Sequence, residues 1–231
     1  MHLLRHPAPS TNQPIRATRL LDGIERRTVL SFTPAPKRLD SKRATFEVEL
    51  GPDEATSLIV TVACEEGEAT GAGDFFRAYR DTRRARRTST AEIATVATSS
   101  ELFDEVACRA TSDVYTLITR TDHGPYPYAG IPWFNTIFGR DGIITAMFLL
   151  WMDPSVARGV LRTLAATQAT AFDPKSDAQP GKILHERRHG EMANLGEVPF
   201  RRYYRTVDAT PLFLLLAGLY FERTGDRATL L

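Results

Sequence analysis

With 231 residues the chain is long enough to bury a sizeable core, in one domain or two. Its 29 Lys plus Arg against 28 Asp plus Glu leave a formal charge of +1, which removes any global electrostatic case for nucleic acid or an anionic membrane as partner. Two cysteines, Cys64 and Cys108, far apart and in unlike contexts, argue against a disulfide scaffold and against a zinc cluster, and both read as free, buried thiols.

The opening segment "MHLLRHPAPSTNQPIRATRL" contains no apolar run of signal-peptide length, and the apolar stretch from Ile143 to Met152 is too short to span a bilayer. The expectation is a soluble, cytoplasmic protein, with no oligomeric state specified. From Ile15 to about Ser100 the pattern is strand-like and punctuated by turns. "ATFEVEL" alternates around Phe46, Val48 and Leu50, "GPDEA" supplies turn chemistry, and "TSLIVTVACEE" is β-branched enough for a more fully buried strand. An antiparallel sandwich, or part of one, follows. "FFRAYRDTRRARRTST" is rich in arginine and is weighed as a phosphate-binding patch. A solvated helix fits it better, because base-stacking aromatics are missing after Tyr79.

The hydrophobic period changes near residue 101, and a domain boundary is expected at about residue 100. In "ELFDEVACRATSDVYTLIT" an apolar stripe recurs at helical spacing through Leu102, Val106 and Ala110. A second helix begins near Asp141. A third fits "DPSVARGVLRTLAATQAT", with Asp153 as cap and Pro154 at the first helical position. A fourth runs from about Asp208 to Thr224, where Gly225 is placed to end it. Between the third and fourth helices lies a long aperiodic connection, and connections of that length are more often functional than not.

The helices after Asp141 and Asp208 are apolar on nearly every face, as expected of helices enclosed by others, yet each starts with a carboxylate. Helix capping and the helix dipole explain an aspartate in such a place without any function. The neighbourhoods "GPYPYAGIPWFNTIFGRD" and "GEVPFRRYYRTVD" add aromatic, glycine and polar groups beyond what a connection needs. Aromatic faces beside carboxylates and guanidinium groups suit a sugar, whose C–H face stacks while its hydroxyls require charged hydrogen-bond partners. Trp133, Phe134, Tyr126, Tyr128, Tyr203 and Tyr204 are candidate faces, and Arg140 with Asp141 a candidate clamp, although any of these aromatics can equally be core.

Other chemistries fit less well. "GAGDF" lacks the Lys-Ser/Thr ending of a phosphate loop, and order alone reveals no Ser-His-Asp arrangement. "HERRH" at 185–189 matches the letters of a zinc-hydrolase motif, with Glu186 as general base. Gly181 before it and Gly190 after it leave little helical face to bury, so the metal reading is the weaker one. No cofactor and no metal are expected.

The run "AGIPWFNTIFGRDGIITAMFLLWMDPSVARGVLRTLAATQA", with "GKILHERRHGEMANLGEVPF" and "VDATPLFLLLAGLYFERTGD", resembles bacterial amylo-alpha-1,6-glucosidase-like proteins of the glycogen-debranching group. The likeness covers about residues 101–231, and residues 15–100 look like the tail of the β-rich domain that precedes the barrel in such proteins. The fold this implies is the C-terminal part of a β-sandwich (15–100) followed by the first helices of an (α/α)6 barrel (101–231), truncated. The activity it implies is inverting hydrolysis of α-linked glucans or related oligosaccharides. By this resemblance Gly139, Arg140 and Asp141 bind sugar on the non-reducing side of the scissile bond, and Asp208 in "YYRTVDA" is the general acid. Trp133 and Phe134 line the site, while Lys182, His185, Glu186 and Glu197 fall on its rim. Arg205 departs from the pattern, since a small residue is expected there.

Inverting hydrolysis requires a protonated carboxyl group at the glycosidic oxygen and a second carboxylate holding water, about 6.5–9.5 Å away. An enclosed, aromatic-lined position at Asp208 would keep the acid protonated. By resemblance the base belongs to a late barrel helix. About four helices are legible here, whereas twelve need roughly 350 residues at average helix lengths. The sequence thus reads as an internal fragment, either a broken hydrolase or a glucan-binding or structural remnant.

Overall fold

The structure is a computed structural model that describes residues 15–19, 21–66, 75–91 and 93–230. The N-terminal segment read for a targeting signal, up to residue 14, and most of "GAGDF" lie outside the described residues. The chain divides into two compact units, Met1–Ala85 and Arg86–Leu231. The fold is mixed α/β, with small antiparallel sheets and several helices.

In the first unit, β1 (Ile15–Arg19), β2 (Arg26–Thr33) and β5 (Ile59–Glu66) form one antiparallel sheet in the order β1-β2-β5, with Leu30 opposite Ile15 on one side and Val62 on the other. A two-residue ribbon joins β3 (Arg38–Leu39) to β4 (Ala44–Thr45). No clear sandwich forms among the described residues, which corrects the expected class. The reason is visible on β5. Its side chains alternate between half-buried and exposed, and Val60 and Val62 remain 54% and 59% exposed, so the strand has one open face rather than two covered ones. "ATFEVEL" forms strand only at Ala44–Thr45. Residues 46–50 alternate correctly but are not in a ladder, and alternation makes a strand only where a partner supplies hydrogen bonds. Helix α1 (Phe75–Thr90) is exposed at every described position, in keeping with a solvated basic helix.

The second unit opens with α2 (Glu101–Leu117), whose N-cap Ser100 accepts a hydrogen bond from the backbone N–H of Phe103 at 3.4 Å. Its apolar stripe packs only near the C-terminal end, where Val114 and Tyr115 reach the core; Leu102, Phe103 and Val106 stay exposed. The hairpin of β6 (Ile118–Thr121) and β7 (Gly124–Pro127) follows, then β8 (Ile137–Phe138), α3 (Gly139–Leu149) and α4 (Pro154–Ala166). Asp153 caps α4 by accepting from Ser155 N at 3.0 Å, with Pro154 in the first turn, and Tyr115 donates its hydroxyl to the other Asp153 oxygen at 2.5 Å. After β9 (Glu186–Arg187) and the short α5 (Glu191–Asn194) comes α6 (Ala209–Thr224), closed by Gly225 at φ 67°, a conformation that glycine adopts without steric cost.

Helices α3, α4 and α6 pack on one another and α4 lies on β7, enclosing Tyr126, Ile143, Val156, Val160, Leu164 and Leu216. Three mutually packed helices are not a closed ring, and no barrel is formed by the described residues. The apolar helices are correspondingly not enclosed: Phe148 on α3 and Leu214 and Leu215 on α6 face outward. No helix among the described residues is long and apolar enough to cross a membrane. Cys64 and Cys108 are free but exposed rather than buried, Cys64 on the open face of β5 and Cys108 on the uncovered side of α2.

Candidate functional site

The site is organised by two helix starts brought together. Gly139 opens α3, and a Cβ there would fall inside the contact radius of the Leu184 carbonyl oxygen and 3.8 Å from Ala209 Cβ at the start of α6. Only glycine permits this approach. One turn on, a Cβ at Gly142 would lie 2.7 Å from Cζ of Tyr126, whose ring is fully buried and whose hydroxyl donates to the Phe138 carbonyl at 2.8 Å. The loop side is fixed by a small ladder, with β8 antiparallel to β9 and Glu186 bridged in turn to Tyr203. Gly139 N donates to His185 O at 2.9 Å, and Ile183 N to Thr210 Oγ1 at 3.1 Å.

On this frame Arg140 Nη1 donates to Asp208 Oδ2 at 3.2 Å across 68 residues of sequence, with the two side chains 47% and 37% exposed. Thr206 Oγ1 donates to the other Asp208 oxygen. Neither aspartate is spent on capping: the cap position of α3 is Phe138, and Asp208, at the cap position of α6, makes no side-chain cap bond. The Thr206 hydrogen bond is the largest influence holding the Asp208 carboxyl below the ordinary aspartate range; burial opposes it next, and the Arg140 hydrogen bond and charge add to the lowering. The enclosure expected around Asp208 is therefore replaced by a guanidinium and a hydroxyl, which favour its ionised form.

Asp141 stands exposed in the first turn of α3, and its charge adds to the burial that raises the Tyr126 phenol. Trp133 and Phe134, 73% and 53% exposed, precede β8. Behind them the Phe134 ring meets Phe138, with ring centroids 5.9 Å apart, and Phe138 meets His185 at 6.3 Å. His185 in turn meets Tyr203 at 6.1 Å, and its Nδ1 is buried without a hydrogen-bond partner among the described residues.

The other expected residues are placed differently. Tyr204 is 4% exposed and donates its hydroxyl to Thr167 O at 2.7 Å, so its ring, like that of Tyr126, is core rather than a stacking surface. The shared cause is an aromatic ring whose hydroxyl finds a backbone carbonyl inside, which makes burial inexpensive. Lys182 is directed to Asp177, with Nζ 3.0 Å from its carbonyl and 3.2 Å from its carboxylate. Glu186 is buried and paired with Arg188, and Glu197 and Arg205 are exposed. "HERRH" is extended at Glu186–Arg187, so His185 and His189 do not share a helical face; no His, Cys, Asp and Glu cluster among the described residues is arranged for a metal.

Two contributors escaped the sequence reading. Thr206, two residues before Asp208, orients its carboxylate. Arg188 bonds Glu186 and the Trp133 carbonyl and lies 5.6 Å over the Phe138 ring, holding the aromatic loop to the ladder. A hydroxyl at i−2 from an aspartate was a readable signal for the first; nothing local pointed to the second.

No curated protein matches the chain. Residues 2–61 match a family described as the N-terminal domain of (some) glycogen debranching enzymes. That match overlaps the part read as the tail of a β-rich domain (15–100), does not reach the motifs of residues 101–231 and covers about a quarter of the chain, so it suggests distant kinship to glycogen-debranching proteins.

Proposed function

We propose that the chain binds α-glucan or malto-oligosaccharide at the Arg140–Asp208 surface, as a glucan-binding relative of the debranching enzymes rather than as a working hydrolase. The carrying observation is the half-exposed Arg140–Asp208 pair at the start of α3, with the exposed Trp133 and Phe134 on the segment that leads into β8 and the Phe134 ring packed on Phe138. Such a pair offers fixed donors and acceptors to neighbouring hydroxyls, and the rings offer an apolar face to the sugar. Asp141 on the same helix start adds acceptors.

The hydrolytic reading, with Asp208 as general acid of an inverting amylo-alpha-1,6-glucosidase, draws its support from the kinship of residues 2–61. It asks Asp208 to be protonated in the resting state, whereas Thr206 and Arg140 favour the carboxylate. Titration of the full chain with maltoheptaose by calorimetry tests the binding reading. Loss of one stacking face is worth about 1 kcal/mol, so Trp133→Ala should weaken binding about fivefold or more. Unchanged affinity in Trp133→Ala would remove the binding surface from this place. Glucose release from isomaltose, panose or maltotriose that disappears in Asp208→Asn would instead establish the hydrolase.

A further inference from the structure

The long connection builds a second concavity, of about 1040 Å³, whose lining includes none of Trp133, Phe134, Arg140, Asp141 or Asp208. It is formed by residues 168–178 on one side and 187–204 on the other. Two backbone hydrogen bonds make it. Arg188 N donates to Phe200 O at 2.7 Å, which sets Arg187 and Arg188 beside Arg201 and Arg202, and Tyr204 N donates to Ser176 O at 2.9 Å, which ties the opposite wall.

The lining is strongly basic. Lys175 and His189 join the four arginines, while among the described residues the one carboxylate that lines it is Asp173. Asp173 is already engaged, accepting from Ser176 Oγ at 2.6 Å and Lys175 N at 3.0 Å. Arg188 is neutralised by Glu186. Among the described residues Lys175, Arg187, Arg201 and Arg202 make no ion pair with a carboxylate. Arg187 and Arg202 both face the Tyr204 phenol at the wall, where their charges oppose the upward push of burial. Like charges lining one concave surface, with Arg187 half-buried and Arg201 and Arg202 exposed, repel one another, and an anion between them relieves that repulsion. Guanidinium forks match phosphate oxygens in pairs. Thr170 adds a neutral hydroxyl and Gln168, whose Nε2 donates to Gly181 O at 2.9 Å, an amide oxygen, both suited to hydroxyls, and the volume is that of a small-molecule site rather than a polymer groove.

We propose that this cleft binds a phosphorylated sugar, with the phosphate held by Arg187, Arg201 and Arg202 and the sugar hydroxyls by the neutral polar wall. The inference rests on the cleft alone and is independent of glucan binding at Arg140–Asp208. Calorimetry on the full chain tests it with glucose 6-phosphate, glucose and inorganic phosphate as probes. Glucose 6-phosphate should bind at least about tenfold tighter than either of the others, and more weakly as salt rises from about 50 to 200 mM. Arg187→Gln/Arg201→Gln should weaken it about tenfold or more, whereas the charge-matched exposed pair Arg120→Gln/Arg162→Gln should not. Arg201 is exposed, so Arg201→Gln alone serves if the double variant does not fold. Equal affinity for glucose 6-phosphate and inorganic phosphate would overturn the sugar assignment. An equal loss in the control pair, or no binding of the sugar phosphate, would overturn the site itself.

Discussion

The sheet of Met1–Ala85 and the helical cluster of Arg86–Leu231 are held together by different physics. Among the described residues of the first unit, Val29 and Leu39 are the buried hydrophobics, and the three strands are joined chiefly by their hydrogen-bond ladder. The helical cluster instead buries a continuous core from Tyr126 to Tyr220. The family match falls on the sparsely packed unit and the candidate sites on the densely packed one. A ladder satisfies backbone groups wherever strands pair, but a site needs side chains held to within about 0.5 Å, which requires a packed frame.

The contrast is broken most forcefully in the core. Leu164 is fully buried on α4, and Leu164→Ala should lower unfolding free energy by about 3–4 kcal/mol in denaturant titration. A loss below about 1 kcal/mol would mean that the helices do not pack as described. Next comes Gly142→Ala, which forces a methyl group against the buried Tyr126 ring at the base of the Arg140–Asp208 surface. Overpacking there should cost about 2 kcal/mol and weaken maltoheptaose binding at the same time. Stability lost with binding intact would separate the frame from the site.

At the surface itself, Asp208→Asn removes a charge-assisted acceptor and should weaken maltoheptaose binding about tenfold, roughly 1.4 kcal/mol. Its pH dependence has a definite sign. The folded-state pKa of Asp208 lies below the ordinary aspartate value of 3.8, so the ion pair contributes its stabilisation above that value and loses it as pH falls through the still lower folded value. Binding should stay level from neutrality down to about 3.8 and fall only below it. A decline already between neutrality and that value would show a carboxyl that protonates early, as a general acid does. The smallest effect is expected on the open sheet. Val62→Thr keeps the β-branched shape on an exposed position and should change stability by less than about 0.5 kcal/mol. A loss above about 1.5 kcal/mol would show that this face is covered after all.

Local signals transmitted well where one segment decides its own conformation. Asp153 with Pro154, and Gly225, mark helix ends through backbone chemistry that needs no distant partner. The period of α2 was readable too, but how much of its stripe is covered was not, because coverage depends on what packs against it. "ATFEVEL" failed for a related reason: residues 46–50 have the alternation of a strand without a partner ladder. Trp133 and Tyr204 look alike as aromatics beside a helix start. One is open, and the other donates its hydroxyl into the core at Thr167.

The pairing of charges belongs to the same class. Sequence proximity suggested Arg140 with Asp141, but the guanidinium reaches Asp208 instead, because Gly139 lets the start of α3 approach the 184–185 backbone and the start of α6. The two Arg-Arg doublets at 187–188 and 201–202 were visible as letters in "HERRHGE" and "FRRYY". What turns them into one basic cleft is the hydrogen bond between Arg188 N and Phe200 O. Helix limits, charge balance and the candidate residues were thus determined by sequence alone, since they follow from short-range sterics and composition. Which of those residues are open, which are core and which charges meet was decided only by tertiary structure, because close packing and Coulomb attraction act between groups that the chain order keeps far apart.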